Sequence, residues 1–292
     1  MSDVILTADG ESVTLHGGAF AGHGIALTGL SGWYQTPDAK VTVTPRGQGD
    51  GGHDIVADNV MYDARVVTVG YRIIAGSDRE EALRQLALLD KLVHRLVTCR
   101  VIDDGQDTCC SGGYYVRSLE QKIQNPLWQN LSGDITLVFE RPERLSTTAQ
   151  RCQLLPSIES DRVGLSYGPA ARGLAYPLSY GMAAVDARNV CTLMNNGSSR
   201  AYPVFTVQGP WPDGVQLTFP GLDMSLDYAQ AVGSVPLVLD SRSRTASIGG
   251  LDVSRNLRQR GFPTVPPGGS TAVNLQSVGD GYVTVECRDT YM

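Results

Sequence analysis

Gly47, Gly49 and Gly52 reproduce the letters Gly-x-Gly-x-x-Gly, the spacing that lets a backbone approach a dinucleotide pyrophosphate. That chemistry needs a strand before the glycines and a helix after them. Here Pro45 precedes and the β-prone Asp54-Ile55-Val56 follows, so the glycines read as a hairpin tip. Asp50, His53 and Asp54 offer metal donors in the same loop, but not at the Asp-x-Asp-x-Asp-Gly spacing of a calcium site. The four histidines all precede residue 95, and neither a His-Glu-x-x-His pair nor a Gly-x-Ser-x-Gly elbow occurs. Zinc and serine-hydrolase chemistry lose their usual patterns. Carboxylates could still pair in space for glycoside hydrolysis, and Asp186, Asp213, Asp223 and Asp227 are available, but acids at strand ends and turns are usually solvated. Trp33, Trp128 and Trp211 lie near Gly or Pro, where a sugar ring could stack. Trp211, between Pro210 and Pro212 and followed by Asp213, is the one tryptophan of the second half able to form such a platform. A tryptophan plugging the end of a sandwich is the commoner arrangement. No catalytic, metal or cofactor-binding residues are therefore expected.

Six cysteines, Cys99, Cys109, Cys110, Cys152, Cys191 and Cys287, are too sparse for a disulfide framework, and no Cys-x-x-Cys exists. Cys109 and Cys110 would point to opposite faces of a strand. Six free thiols are expected of a protein assembled in a reducing cytosol.

The elements that must position these residues are mostly strands. Val41–Thr44 and Ala64–Ile74 alternate as half-exposed strands do, and strand-like stretches return at 96–102, 114–123 and 134–140. One helix is predicted from Ser77 to about Leu96. Ser77 with Glu80, or Asp78 with Glu81, would cap it, and Leu83, Leu86, Leu89, Val93 and Leu96 would form the stripe that faces a sheet. From Arg141 to about Gly173 no periodicity survives. From 176 onward, short strands recur every 8 to 15 residues without a helix, the pattern of an antiparallel sandwich or jelly roll. The expected architecture is mostly β with one main helix: an α+β N-terminal domain over 1–145, a linker over 146–175 and a C-terminal β-sandwich over 176–292.

A chain of 292 residues suits two domains, and 42% hydrophobic with 18% charged residues is a globular composition. Residues 1–150 hold 19 acids against 13 bases, while 151–292 hold 11 of each, so the first half carries the whole net charge of −6. Such a chain would repel phosphate rather than read nucleic acid. No basic-then-apolar start and no run of 18 apolar residues occurs, which predicts a soluble protein without a signal peptide.

The second half resembles a family. Asn195-Asn196-Gly197, Ala201-Tyr202-Pro203-Val204-Phe205-Thr206-Val207-Gln208-Gly209-Pro210, Val238-Leu239-Asp240, Phe262-Pro263, Pro266-Pro267-Gly268-Gly269-Ser270 to Asn274, and Val283-Thr284-Val285-Glu286-Cys287-Arg288-Asp289-Thr290-Tyr291 are similar in order and spacing to the C-terminal domain of siphophage distal tail proteins. Gly32-Trp33-Tyr34, the Gly-rich loop and Ala64–Ala75 resemble the family's N-terminal belt domain. Two departures stand out: Cys287-Arg288 occupies the place of a Trp-Arg motif, and Gly269–Val273 separates Gly268 from Asn274. The resemblance implies structural roles for Tyr202, Pro203, Gly209, Asp240, Pro267, Gly268, Asn274, Arg288 and Tyr291. It further implies a non-enzymatic ring, expected to be homohexameric, at the phage tail tip of the virion and assembled in the host cytoplasm. The neighbours it implies are the tail tube protein, the tape measure protein and a tail-associated hub protein, with DNA passing through without specific binding. An acidic first half suits such a conduit, because a basic lumen would retain phosphates. The alternative is a carbohydrate-binding module that recognises a host-wall saccharide through Trp211 and Asp213; a glycosidase ranks third.

Overall fold

A computed structural model describes residues 2–18, 22–42, 44–52, 60–76, 78–121, 131–156 and 188–292. The chain forms two compact units, Met1–Thr148 with Thr290–Met292, and Ala149–Asp289.

The first unit contains β1 (Asp3–Ala8), β2 (Glu11–Leu15), β3 (Gly24–Ser31), β4 (Arg65–Ile74), helix α1 (Arg79–Asp90), β5 (Val97–Asp103), β6 (Gln106–Arg117), β7 (Glu120–Gln121), β8 (Leu131–Phe139) and the start of β9 (Arg144–Leu154). Antiparallel pairing runs β2-β1-β5-β6-β8-β4-β3. A parallel bridge from His16 to Ala26 then joins the end of β2 to β3, with His16 N donating to Ile25 O at 2.9 Å and Leu27 N to His16 O at 2.8 Å. The pairing path thus closes on itself. Period-two alternation puts Val4, Leu6, Val13, Leu15, Val67, Val69, Tyr71, Ile73, Val97, Cys99, Val101, Ile135, Leu137 and Phe139 in one buried core. Strand β6 turns the corner. Its residues up to Gly113 pair with β5 and those from Tyr114 with β8. Gly113 makes this turn sterically feasible, because a Cβ there would lie 2.4 Å from Phe139 Cε1.

Helix α1 is shorter than its apolar pattern predicts, and of the predicted stripe Leu86 and Leu89 face the core while its two ends do not. Asp78 caps it, its carboxylate accepting from Glu81 N at 3.1 Å, which realises the second of the two predicted caps; Ser77 lies outside the described residues. Ala82 and Leu89 are buried in the helix, as is Leu92 just after it, while Leu83, Val93 and Leu96 are exposed. The predicted stripe is therefore displaced by one residue at its start. It fails at its end because the helix stops at Asp90 and His94 takes a left-handed φ of 64°.

The second unit is a sandwich. One sheet is ordered β16-β15-β14-β11-β19 and the other β10-β18-β12-β13-β17. Here β10 is Val190–Asn195, β11 Val204–Gln208, β12 Val215–Phe219, β13 Met224–Tyr228 and β14 Leu237–Asp240, followed by β15 Thr245–Ile248, β16 Leu251–Asp252, β17 Leu257–Arg260, β18 Gly269–Leu275 and β19 Tyr282–Tyr291. Phe205, Val207, Leu217, Phe219, Leu239, Val273, Val283 and Val285 fill the space between the sheets. The observed fold is mostly β with one main helix, as the sequence pattern implies. Residues 146–154, expected to open a linker, instead continue β9, whose alternation is hidden by Ser, Thr and Gln at outward positions. The rest of the expected linker, from 157 on, lies outside the described residues.

The expectation of six free thiols is overturned. Cys152 on β9 and Cys191 on β10 are joined as a disulfide with Cα atoms 6.6 Å apart, while Cys99, Cys109, Cys110 and Cys287 remain thiols. Two cysteines 39 residues apart carry no sequence signal of pairing; the strands bring them together. Cys109 and Cys110 do point to opposite sides, the first half-buried and the second buried.

Thiol titration of the denatured, unreduced chain should count four groups rather than six. Gly113→Ala should cost about 1–3 kcal/mol, because the Phe139 ring must move from the corner, and a urea unfolding midpoint compared with wild type measures it.

Candidate assembly surface

Among the described residues no group of three or more His, Cys, Asp or Glu side chains is placed to hold a metal ion. The Gly-rich loop is a hairpin tip: Pro45 pairs with Gly52, and Arg46 N donates to Gly51 O at 3.1 Å. His53, Asp54, Trp128 and Asp186 lie outside the described residues.

Trp211 cannot serve as a sugar platform. Its side chain is completely buried, its indole N–H donates to Gln208 O at 2.9 Å, and its backbone pairs with Val232. A Cβ on Gly279 would lie 2.7 Å from the indole and one on Gly281 2.3 Å from its nitrogen, so two glycines form the cradle. The ring plugs the sandwich, and Asp213 stands exposed beside it with no aromatic face to work with. The outward face of β18, β12, β13 and β17 is polar instead. Asn274, Thr218 and Ser225 form one row and Gln216, Asp227 and Gln259 another. Neither row contains an aromatic ring.

The family-pattern residues are not gathered into one site. Tyr202, Pro203 and Asp240 meet at one end of the β11–β14 pair: Arg242 lies 5.7 Å from the Tyr202 ring centre, Pro203 O accepts from Ser241 N at 3.2 Å, and Asp240 caps Arg242 N at 2.8 Å. Gly209 sits at the other end of β11, where a Cβ would lie 2.2 Å from Gly233 O. Pro267 and Gly268 occupy the turn closed by Gly269 N to Pro266 O, and Asn274 accepts from Asn189 Nδ2 at 2.9 Å. Arg288 pairs with Glu286 at 3.0 Å. Tyr291 belongs to the first unit, its ring centre 5.9 Å from the Arg144 guanidinium carbon.

A surface that no sequence pattern singles out lies on the outside of β4, β8 and β6. Register places Val66 beside Val138 and Val138 beside Tyr114, then Thr68 beside Thr136 and Thr136 beside Val116. Val66, Tyr114 and Val116 are 51%, 55% and 55% exposed. The next rows are Gly70 with Asp134, then Arg72 with Ser132 and Glu120, so the apolar rows end in a charged margin. A sheet face normally presents polar side chains to water. This one presents a contiguous apolar patch of the kind that marks interaction sites. Beside Val66, a cleft of about 170 Å³ is lined by Gly32, Gln35, Thr36, Pro37, Asp38, Ala64 and Arg65.

Arg65 fixes the border of this face. It is fully buried, and its Nη1 donates to the carbonyls of Gly32, Trp33 and Gln35 at 2.7, 2.7 and 2.8 Å while Nε donates to Pro142 O at 2.6 Å. Gly32 has φ 77°, and a Cβ there would lie 2.0 Å from Val66 O, so only glycine lets the loop lie this close to β4. Tyr34, carried by the same loop, donates to Asp103 Oδ2 at 2.8 Å; its phenol is pushed up to about 12 by burial and by that bond. The Arg144 guanidinium covers the Tyr34 ring at 5.0 Å.

No family model matches the sequence, and no curated protein matches it. Solved structures do. The chain is similar to the crystal structure of the SPP1 Dit protein, described as a paradigm of the hub adsorption apparatus in phages that infect Gram-positive bacteria. The TM-score is 0.61, at 11% identity over 99% of both chains. It is also similar to a chain of the phage P2 baseplate in its activated conformation with Ca, with a TM-score of 0.50 and 10% identity over 99% of this chain and 98% of that one. At such identities the likeness is one of fold.

Trp211→Ala should lower the unfolding midpoint of the full chain, with a cost of about 3–5 kcal/mol for emptying a buried aromatic site. Calorimetry checks it.

Proposed function

We propose that the chain is a non-enzymatic structural protein of a phage tail tip, a distal tail protein whose first unit builds a ring. The fold likeness to the SPP1 hub protein over 99% of both chains carries this reading, because it spans both units rather than one common sandwich. The motif resemblance of the second half points the same way.

A closed ring needs heterologous contacts: one patch of each protomer must meet a different patch of the next. The first unit exposes two apolar patches on separate elements, the β4-β8-β6 face and the Leu83, Val93 and Leu96 side chains in and after α1. A second copy of the chain is the occupant this reading assigns to them. Six copies would make the ring, between a tail tube above and a tail-associated hub protein below, with the tape measure protein and then DNA passing through. The acid excess of residues 1–150 would keep such a channel from holding phosphates. The site of action is the virion tail, after assembly in the host cytoplasm. The saccharide-binding reading is not carried further, since its aromatic platform is the buried Trp211 plug.

Light scattering on two fragments tests the assignment of roles. Residues 1–148 alone should oligomerise while 149–292 stay monomeric. A monomeric first fragment beside an oligomeric second one would reverse the roles, and two monomers beside a monomeric full chain would overturn the ring.

A further inference from the structure

We propose that Arg65 and Arg144 form a buried binding site for a small monovalent inorganic anion inside the first unit. Both arginines are more than nine-tenths buried, yet neither guanidinium is satisfied by protein among the described residues. Nη2 of Arg65 and both Nε and Nη1 of Arg144 have no hydrogen-bond partner there. Arg144 spends its remaining nitrogen on Met292 O at 3.1 Å. A buried donor left unmade is costly, and a buried charge without a counter-charge more so.

The two groups belong to one neighbourhood. Arg65 Nε donates to Pro142 O, and in the planar guanidinium fork the unpartnered Nη2 lies on that same edge, toward the segment that carries Arg144. Cys110, whose thiol donates to Glu143 O at 3.6 Å, feels the field of Arg65, Arg144 and Arg141 together. Burial holds both arginines below the ordinary guanidinium range, and the Arg144 charge adds to the lowering at Arg65. Against three guanidiniums stands Glu143, already engaged by Arg141 at 3.3 Å, while Asp103 is taken by the Tyr34 hydroxyl. The Tyr34 and Tyr291 rings, 5.0 and 5.9 Å from Arg144, attract the cation through their faces but offer those nitrogens no acceptor. A chloride-sized ion can accept from several converging N–H groups without the bulk of a phosphate.

The test uses the full chain at constant ionic strength, replacing gluconate by chloride. Gluconate is too large for the site and, as a strongly hydrated anion, stabilises proteins in general, so a rise in Tm on adding chloride runs against the bulk salt effect. The expected result is a rise of about 4 °C when chloride is roughly tenfold above its Kd, continuing with the logarithm of chloride, absent in Arg144→Gln. Should that variant not fold, wild-type crystals soaked in bromide decide, with an anomalous peak expected within hydrogen-bond reach of Arg65 Nη2 and an Arg144 nitrogen. A wild-type Tm indifferent to chloride, or bromide crystals with no peak between the two arginines, would overturn the site and indicate that water satisfies these donors. Neither result bears on whether the chain forms a ring.

Discussion

A strand has two faces, and in the first unit both faces of β4, β8 and β6 need cover. The inward face has it: Val67, Val69, Tyr71, Ile135, Leu137 and Phe139 lie against β1, β2, β5 and α1 in a core that closes on itself. The outward face repeats the same chemistry, with Val66, Val138, Tyr114 and Val116 in adjacent register positions and threonines between them. Closing the sheet removes most of its edges but cannot hide this second face. The functional reading follows from that constraint more directly than from any titratable group.

The border of the face is held by groups that do no chemistry. Arg65 collects three carbonyls of the 32–35 loop and one from Pro142, so a single buried cation ties the loop, β4 and the entry to β9. Gly113 at the β6 corner lets one strand serve two partners, and Gly32 lets the loop lie on β4. These positions hold the border of the patch in place. A preformed surface of this kind loses little conformational freedom on association, which suits a repeated contact between copies. The second unit differs in kind: among the described residues Trp211 plugs the sandwich and the outward rows of β18, β12, β13 and β17 are polar.

Much of the fold is legible in the sequence because alternation survives in Ala64–Ile74 and in the short strands after 200, and because Asp78 with Glu81 is a readable cap. The ends of the helix stripe are not, because packing selects Ala82 over Leu83 and the helix stops before Val93, while Leu86 and Leu89 face the core as their spacing predicts. Strand β9 is hidden by its polar outward residues. The outward apolar face is spread over three strands, two of them distant in sequence from the third, so its rows exist only once register is known. Arg65 is the clearest case of a role that no pattern reveals, since an arginine at the start of an alternating strand reads as solvated. Trp211 is readable as a plug because that is the commoner place for a tryptophan in a sandwich, its flanking prolines suiting either role, whereas Gly279 and Gly281, which cradle it, come from about 70 residues further along the chain.

The central claim is that the β4-β8-β6 face is where one copy meets the next. Val66→Glu combined with Val116→Glu places two charges on that face and removes nothing from the core. Sedimentation velocity of this double variant beside the wild type measures the claim directly. The account predicts a wild-type oligomer and a variant monomer with an unchanged far-UV circular dichroism spectrum. A variant that sediments as the wild-type oligomer would contradict it.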